Sequence, residues 1–362
     1  MARLGDVCSK GSSNIAQKDL NEHNGDFPIY GASGLIKKVD FFQQEKPYIA
    51  VVKDGAGIGR VMKLPAKSSV IGTMQYIIPN NNVDIDYLMY AMEHMNLSKY
   101  FTGATIPHIY FKDYQKEELP LPPLDEQRKI AAVLDKVSDL IAKRRQQLDK
   151  LDLLIKSKFV EMFGTFPKNE KNWSTGKIRD VINEARYGSS RPAVDGGKYP
   201  YLRMNNITYV GELDLSDVKQ IDVPESELSK CTVKRGDVLF NRTNSRELVG
   251  KTCVYDKDEI MVLAGFVIRV RVNERVLPEF LSCFLNTDFS KQMLFRMCKS
   301  AIGQANINAQ EMQNIDLYIP PIELQRNFVA FKNQIREVKS TIKRSLKELE
   351  TLKKALMQEY FG

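Results

Sequence analysis

The run Asn241-Arg242-Thr243-Asn244-Ser245-Arg246 puts two guanidinium groups and two carboxamides into six residues. A guanidinium can bond O6 and N7 of guanine with two parallel donors, and a carboxamide can bond N6 and N7 of adenine. The preceding Gly236-Asp237-Val238-Leu239-Phe240 has the composition of a strand, so the run begins at a strand end. Arg186-Tyr187-Gly188-Ser189-Ser190-Arg191 and Arg203-Met204-Asn205-Asn206 offer more such groups. Counterparts in the N-terminal part are Ser12, Asn14, Lys37, Lys53 and Arg60, followed by Thr105, His108 and Tyr110. The candidate contacts to base edges or phosphates are Ser12, Asn14, Lys37, Lys53, Arg60, His108, Tyr110, Ser189, Arg191, Arg203, Asn205, Arg242, Asn244, Arg246, Gln304 and Asn306. Each of them singly reads as a solvated loop residue; the weight rests on the set.

Other chemistries find little support. Gly55-Ala56-Gly57-Ile58-Gly59 invites comparison with a dinucleotide or S-adenosylmethionine loop, but that chemistry needs a helix next. Arg60-Val61-Met62-Lys63-Leu64-Pro65 reads as a strand, so the glycines form a β-turn. Gly250-Lys251-Thr252 would need glycine at 245 to complete a phosphate loop, and position 245 is Ser245. The three histidines, His23, His94 and His108, are widely spaced and match no zinc site. Neither Pro-Pro pair is preceded by Asn or Asp and followed by an aromatic residue, the catalytic tetrapeptide of amino-methyltransferases. No metal, no bound cofactor and no catalytic role are expected of this chain.

Five cysteines (Cys8, Cys231, Cys253, Cys283, Cys298) include no C-x-x-C pair, and the odd count argues against a disulfide framework. The longest apolar run, Met261 to Ile268, has eight residues, too few to span a membrane, and no secretory leader is apparent. A cytoplasmic protein with reduced thiols is expected. The net charge of +8 is spread thinly. Residues 1–118 balance 13 basic against 13 acidic groups, 119–164 carry 9 against 7, 165–316 carry 22 against 20, and 317–362 carry 9 against 5. Any nucleic-acid contact is therefore a local patch rather than a basic domain.

The elements that must position these loops repeat. Residues 121–164 and 319–362 align without a gap, with 12 of 44 positions identical. They open with Leu121-Pro122-Pro123-Leu124-Asp125-Glu126-Gln127-Arg128 and Ile319-Pro320-Pro321-Ile322-Glu323-Leu324-Gln325-Arg326, and both close on Phe-Gly. The prolines disfavour helix before them, the acidic residues suit a first turn, and neither interior contains Gly or Pro. From Leu124 to Phe163 a helix would be roughly 60 Å long. Leu134, Ile141, Leu148 and Ile155 recur every seven residues, as do Ile335, Ile342, Leu349 and Leu356. Ile130, Val137 and Leu151 in the first copy, and Phe331, Val338 and Leu352 in the second, fill complementary positions. Two such helices are expected to pair as an antiparallel coiled coil.

The segments ahead of them are strand-rich, with short helices expected at Asp86 to Met95 and Pro278 to Cys298. Leu4-Gly5-Asp6-Val7 matches Ile178-Arg179-Asp180-Val181, and Asp26-Phe27-Pro28-Ile29-Tyr30 matches Lys198-Tyr199-Pro200-Tyr201-Leu202. The fold class is α+β: two α/β domains dominated by strands, 1–118 and 165–316, and two long helices, 119–164 and 317–362, with pseudo-two-fold symmetry.

This order, with the doubled Pro-Pro, acidic, Gln-Arg junction and Gly303-Gln304-Ala305-Asn306-Ile307-Asn308 ahead of the second one, resembles the specificity subunit of Type I restriction-modification systems. Leu324 departs from the pattern where the first copy has Glu126. The resemblance implies two target recognition domains, each reading half of a bipartite double-stranded DNA sequence. It implies helices that act as spacer and docking surface for two modification subunits, which carry S-adenosylmethionine and the methylation chemistry. Restriction subunits can join such an assembly. Two alternatives stay open on the residues alone: a coiled-coil scaffold that binds only proteins, without direct DNA readout, and a self-sufficient methyltransferase or nuclease.

Overall fold

Proline and glycine bracket both long helices. In the computed structural model, which describes residues 1–103, 107–301 and 304–362 (side chains of 299–301 and 304 excepted), they span Leu124–Phe163 and Ile322–Phe361. The carbonyl of Pro123 accepts from the N–H of Glu126 and Gln127, and that of Pro321 from Leu324 and Gln325, closing the first turn. The first helix stops at Gly164, whose φ of +82° lies in the left-handed region that glycine enters without steric cost.

The chain forms two compact units, 1–146 with 343–362, and 147–342, so each unit takes a share of both helices. In the first unit four antiparallel strands lie side by side in the order Cys8–Ser12, Met74–Pro79, Tyr48–Val52, Val61–Leu64. A smaller sheet joins Gly34–Val39, Phe27–Gly31 and Ser69–Val70, the last pair parallel. In the second unit the order Ile182–Tyr187, Val267–Val272, Val238–Asn241, Thr252–Val254 repeats that topology. Its smaller sheet again contains a parallel pair, Tyr199–Leu202 with Met261–Leu263. Each domain is closed just before its long helix, by Ala2–Arg3 against Glu118–Leu119 and by Ser174–Lys177 against Asp316–Ile319.

Alternation along these strands fills the cores. In the first unit Ile49, Val51, Ile77, Tyr87, Leu88 and Met92 meet Ile130, Ala131 and Leu134 of the first long helix and Met357 and Phe361 of the second. In the second unit Val238, Phe240, Ile268 and Val270 meet Phe159 and Phe163 of the first helix and Phe328 of the second. Each buried Phe contributes about 1.5–3 kcal/mol of burial free energy, so the helices are integral to both cores.

Within each unit the helices run antiparallel: in the first, Leu134 shares a core with Met357 and Phe361 and Arg145 pairs with Glu350 at 2.7 Å; in the second, Asp152 pairs with Lys339 and the Phe159 ring lies 5.3 Å from that of Phe328. Of the seven-residue series, Leu134 and Ile141 are buried, and Leu148, Ile155, Ile335, Ile342, Leu349 and Leu356 are half-buried. The complementary series holds in the first copy, with Ile130 and Val137 buried and Leu151 half-buried, and fails in the second, where Phe331 is half-buried but Val338 and Leu352 are exposed while Lys339, Met357 and Phe361 are buried. An α-helix drifts about 20° per heptad, so over five heptads the covered stripe migrates to neighbouring positions.

The stretch 278–298 is two helices, Pro278–Leu285 and Asp288–Met297. Asn286 turns its amide into the carbonyls of Thr252 and Ser282, and the Thr287 hydroxyl caps the next helix by accepting from the Ser290 N–H. Cys8, Cys231, Cys253 and Cys298 are buried and Cys283 is half-buried, all as free thiols. Among the described residues no helix is long and apolar enough to cross a membrane.

Candidate nucleic-acid interface

Arg242 begins the polar run at the end of strand Val238–Asn241. Side chains alternate there: Asn241 and Thr243 are buried, while Arg242 and Asn244 face outward. The Arg242 backbone is fixed on both sides, its N–H donating to the Phe266 carbonyl at 3.0 Å and its carbonyl accepting from Ile307 at 2.9 Å. Its guanidinium lies 4.8 Å from the centre of the Tyr187 ring, and the Tyr187 hydroxyl accepts from the Ala309 N–H. Thr243 and Asn244 pair with Asn306 and Ala305 in a short antiparallel ribbon. Arg242, Asn244, Tyr187 and Asn306 thus share one edge, with Ser189 beneath it, bonded to the adjacent turn through Gly265. Two buried polar atoms on this edge, Arg242 Nε and Asn306 Oδ1, lack a hydrogen-bond partner among the described residues.

Arg246 lies at the far end of the run, its guanidinium 4.3 Å from the Phe295 ring centre and its Nε donating to the Phe295 carbonyl. Near it Lys291 donates to the Gly250 carbonyl; burial, then repulsion by Lys251 and Lys156, pushes its ammonium down to about 7. Arg191 and Arg203 are held by carboxylates, Glu227 and Asp217, at 2.8 Å each. The Arg191 contact keeps the Glu227 carboxyl below its usual range. Asn205 is exposed, whereas its neighbour Asn206 is buried and bonds Asp214 and Asp217 carbonyls. Thr105 falls outside the described residues, and Gln304 is described only by its backbone, in strand Gln304–Asn306.

The first unit carries the same framework. Lys53 donates its N–H to the Thr73 carbonyl at 3.0 Å and accepts from Ile109 at 3.0 Å. The turn glycine Gly72 donates to Ile15 at 2.8 Å as Gly265 does to Ser189 at 2.7 Å. Lys53 therefore stands where Arg242 stands, Thr73 where Phe266 stands, and His108 where Asn306 stands. Lys53, His108 and Tyr110 come together here: the His108 ring bonds the Asp54 carboxylate and lies 4.1 Å from the Tyr110 ring. Tyr110 is 48% exposed. Arg60, exposed just after the Gly55–Gly59 turn, donates to the Ala32 carbonyl; Ser12, the last residue of strand Cys8–Ser12, and Asn14 beyond it are exposed. Lys37 is turned away from this cluster, its ammonium on the Leu20 carbonyl and Asn24.

Two features go beyond the sequence reading, the exposure of Phe266 and the bonding of the junction glutamines. Phe266 is 53% exposed although it sits inside the longest apolar run, where pattern alone reads as core. Gln127 and Gln325 are fully buried and bond identically. Each accepts from the N-cap residue of a domain helix, Asp84 or Leu277, at 2.8 Å. Each donates to that segment at Asn82 or Arg275 and to its own junction at Pro122 or Pro320. The junction glutamine is thus the rivet between long helix and reading domain.

The geometry defines a duplicated strand-rich head, each copy riveted to a pair of antiparallel helices and presenting different polar groups from one backbone. The chain belongs to the Type I restriction modification DNA specificity domain family, whose model matches residues 1–152 and again 170–351. It is 24% identical over 266 residues to the EcoKI specificity subunit of Escherichia coli K12, covering 69% of this chain and 57% of that relative, so it spans little more than half the relative's length. It is 25% identical over 332 residues to the MjaVIII specificity subunit of Methanocaldococcus jannaschii, covering 85% of this chain and 76% of the other. The fold is shared with a crystal structure of a Type I restriction-modification S subunit from M. genitalium, with a TM-score of 0.59, 15% identity, and coverage of 100% of this chain and 95% of that one.

Proposed function

We propose that this chain is the DNA-reading specificity subunit of a Type I restriction-modification complex, each unit recognising one half of a bipartite duplex sequence. The observation that carries the reading is the matched framework. One hydrogen-bonded backbone holds Lys53, Thr73 and His108 in one unit and Arg242, Phe266 and Asn306 in the other. A duplicated scaffold that kept its inward bonds and changed its outward groups suits two different half-sites. Arg242 and Asn244 would contact base edges, while Lys53, Arg60 and Arg246 would hold phosphates and so fix register.

The long helices would set the separation of the half-sites and dock two methyltransferase subunits. Val133 and Leu140, exposed apolar residues seven apart on the first helix within the first unit, offer such subunits an apolar contact. On this reading the chain is non-catalytic and cytoplasmic. S-adenosylmethionine sits on the partners, and restriction subunits complete the assembly. A scaffold that binds protein alone would need no outward Arg and Asn beside a stacked tyrosine.

Mapping methylated adenines in the host genome tests the reading: a split, asymmetric motif that disappears on deletion of this chain is expected. A four-residue insertion in the first long helix, adding about 6 Å, should lengthen the motif's unspecified spacer. An unchanged motif after deletion sinks the proposal, and an unchanged spacer sinks the role of the helices.

A further inference from the structure

The matched turns Gly72-Thr73 and Gly265-Phe266 differ in the residue they push into solvent. Phe266 is not a loose loop tip. The Gly265 N–H donates to Ser189 at 2.7 Å, the Val267 N–H closes the turn onto Ala264 at 2.9 Å, and the Phe266 carbonyl accepts from Arg242 at 3.0 Å. The residues on either side, Ala264 and Val267, are buried, so a pinned backbone aims this ring outward. Beside it the Arg242 guanidinium covers Tyr187 and approaches the Gly265 carbonyl at 3.4 Å. An exposed phenyl ring costs free energy in the uncomplexed chain, and the other unit avoids it with Thr73.

On the major-groove edge of a base pair the one apolar group is the C5-methyl of thymine, and Phe and Thr are among the side chains that contact it. We propose that Phe266 reads a thymine C5-methyl next to the base pair engaged by Arg242, which makes it a specificity-determining residue of the second unit. The inference rests on the DNA-reading function above and adds to it a composition: the half-site of this unit contains a T·A pair.

The test uses the full chain with its modification subunits on a duplex bearing the mapped motif. Each thymine of the second half-site is replaced singly by deoxyuridine, which deletes only the methyl group. One replacement should weaken binding about fourfold, the worth of one methyl kept from water. Phe266→Ala should lose a similar factor on the parent duplex and nothing more on the deoxyuridine duplex, while Phe266→Leu retains most of the discrimination. Replacements in the first half-site should be indifferent to both variants.

A second half-site made of G·C pairs alone, a wild-type complex indifferent to every deoxyuridine, or a Phe266→Ala complex as methyl-sensitive as wild type overturns the proposal. So does a Phe266→Ala chain that binds DNA normally but sheds its modification subunits, since the ring then faces protein. Absence of any sequence-specific binding by the wild-type complex defeats the DNA-reading function itself. Specific binding without methyl sensitivity defeats only the role of Phe266.

Discussion

Gln127 and Gln325 occupy equivalent places in the two units and are the same residue, bonded to backbone groups at three equivalent positions. Lys53 and Arg242 also occupy equivalent places and share their backbone bonds, yet their side chains differ in reach and hydrogen-bonding geometry. Between these extremes lies the helix seam, where Ile141 of the first copy is replaced by Lys339 in the second. Both are buried, and Lys339 lies against Asp152 and Glu212. Duplication preserved groups that close a buried backbone, let the seam change where a charge partner arose, and freed the outward face.

Removing the rivets should have the largest effect. Gln127→Ala or Gln325→Ala leaves one buried N–H and two carbonyls without their partner, at a cost of roughly 3 kcal/mol each. Urea unfolding should show similar losses for the two variants. A loss in one alone would break the equivalence of the junctions.

Replacing Arg242 by Ala should next remove about 1–3 kcal/mol of discrimination at one position of the second half-site, leaving the first half-site unchanged. Lys53→Ala should instead weaken binding evenly across sequences and reduce the salt dependence by about one counterion. Binding titrations over a range of salt separate the two behaviours, and equal loss in both halves for Arg242→Ala would mark a folding defect.

The seam gives a smaller effect. Lys339→Ile recreates the residue of the first unit but removes the cation that faces Asp152 and Glu212, so a loss of about 1–2 kcal/mol is expected at pH 7. Thermal unfolding of the variant beside wild type at pH 7 measures it.

The smallest effect is the pH response of Lys291. Its folded value of about 7 lies below that of an unfolded lysine, so the folded state binds fewer protons between pH 7 and roughly 10. Its contribution to stability therefore rises with pH across that window. Lys291→Met should flatten the rise, which thermal unfolding of variant and wild type at pH 7 and pH 9 measures.

Much of this architecture was legible in the sequence because the signals were local. Proline pairs, a terminal Gly164 and uninterrupted interiors mark the long helices, and the Asp26–Tyr30 and Lys198–Leu202 matches fall on equivalent strands, Phe27–Gly31 and Tyr199–Leu202. What stayed hidden depends on partners distant in sequence. The strand order of each sheet places Met74–Pro79 between Cys8–Ser12 and Tyr48–Val52, which no local pattern encodes. Composition marks Lys37, Arg191 and Arg203 as cations, but only the fold shows each spent on an acceptor of the same chain. Phe266 was invisible for the opposite reason: its apolar neighbours mask a turn that reverses its direction.

The thiols carry a practical consequence. Burial pushes Cys8 and Cys253 up to about 12, and Cys231 and Cys298 are likewise buried, so four of the five resist alkylation in the folded chain. Cys283, half-buried beside the Lys332 ammonium at 3.4 Å, is left as a natural attachment point for a maleimide dye. A fluorophore there would report on one unit of an otherwise unaltered polypeptide, with no engineered cysteine.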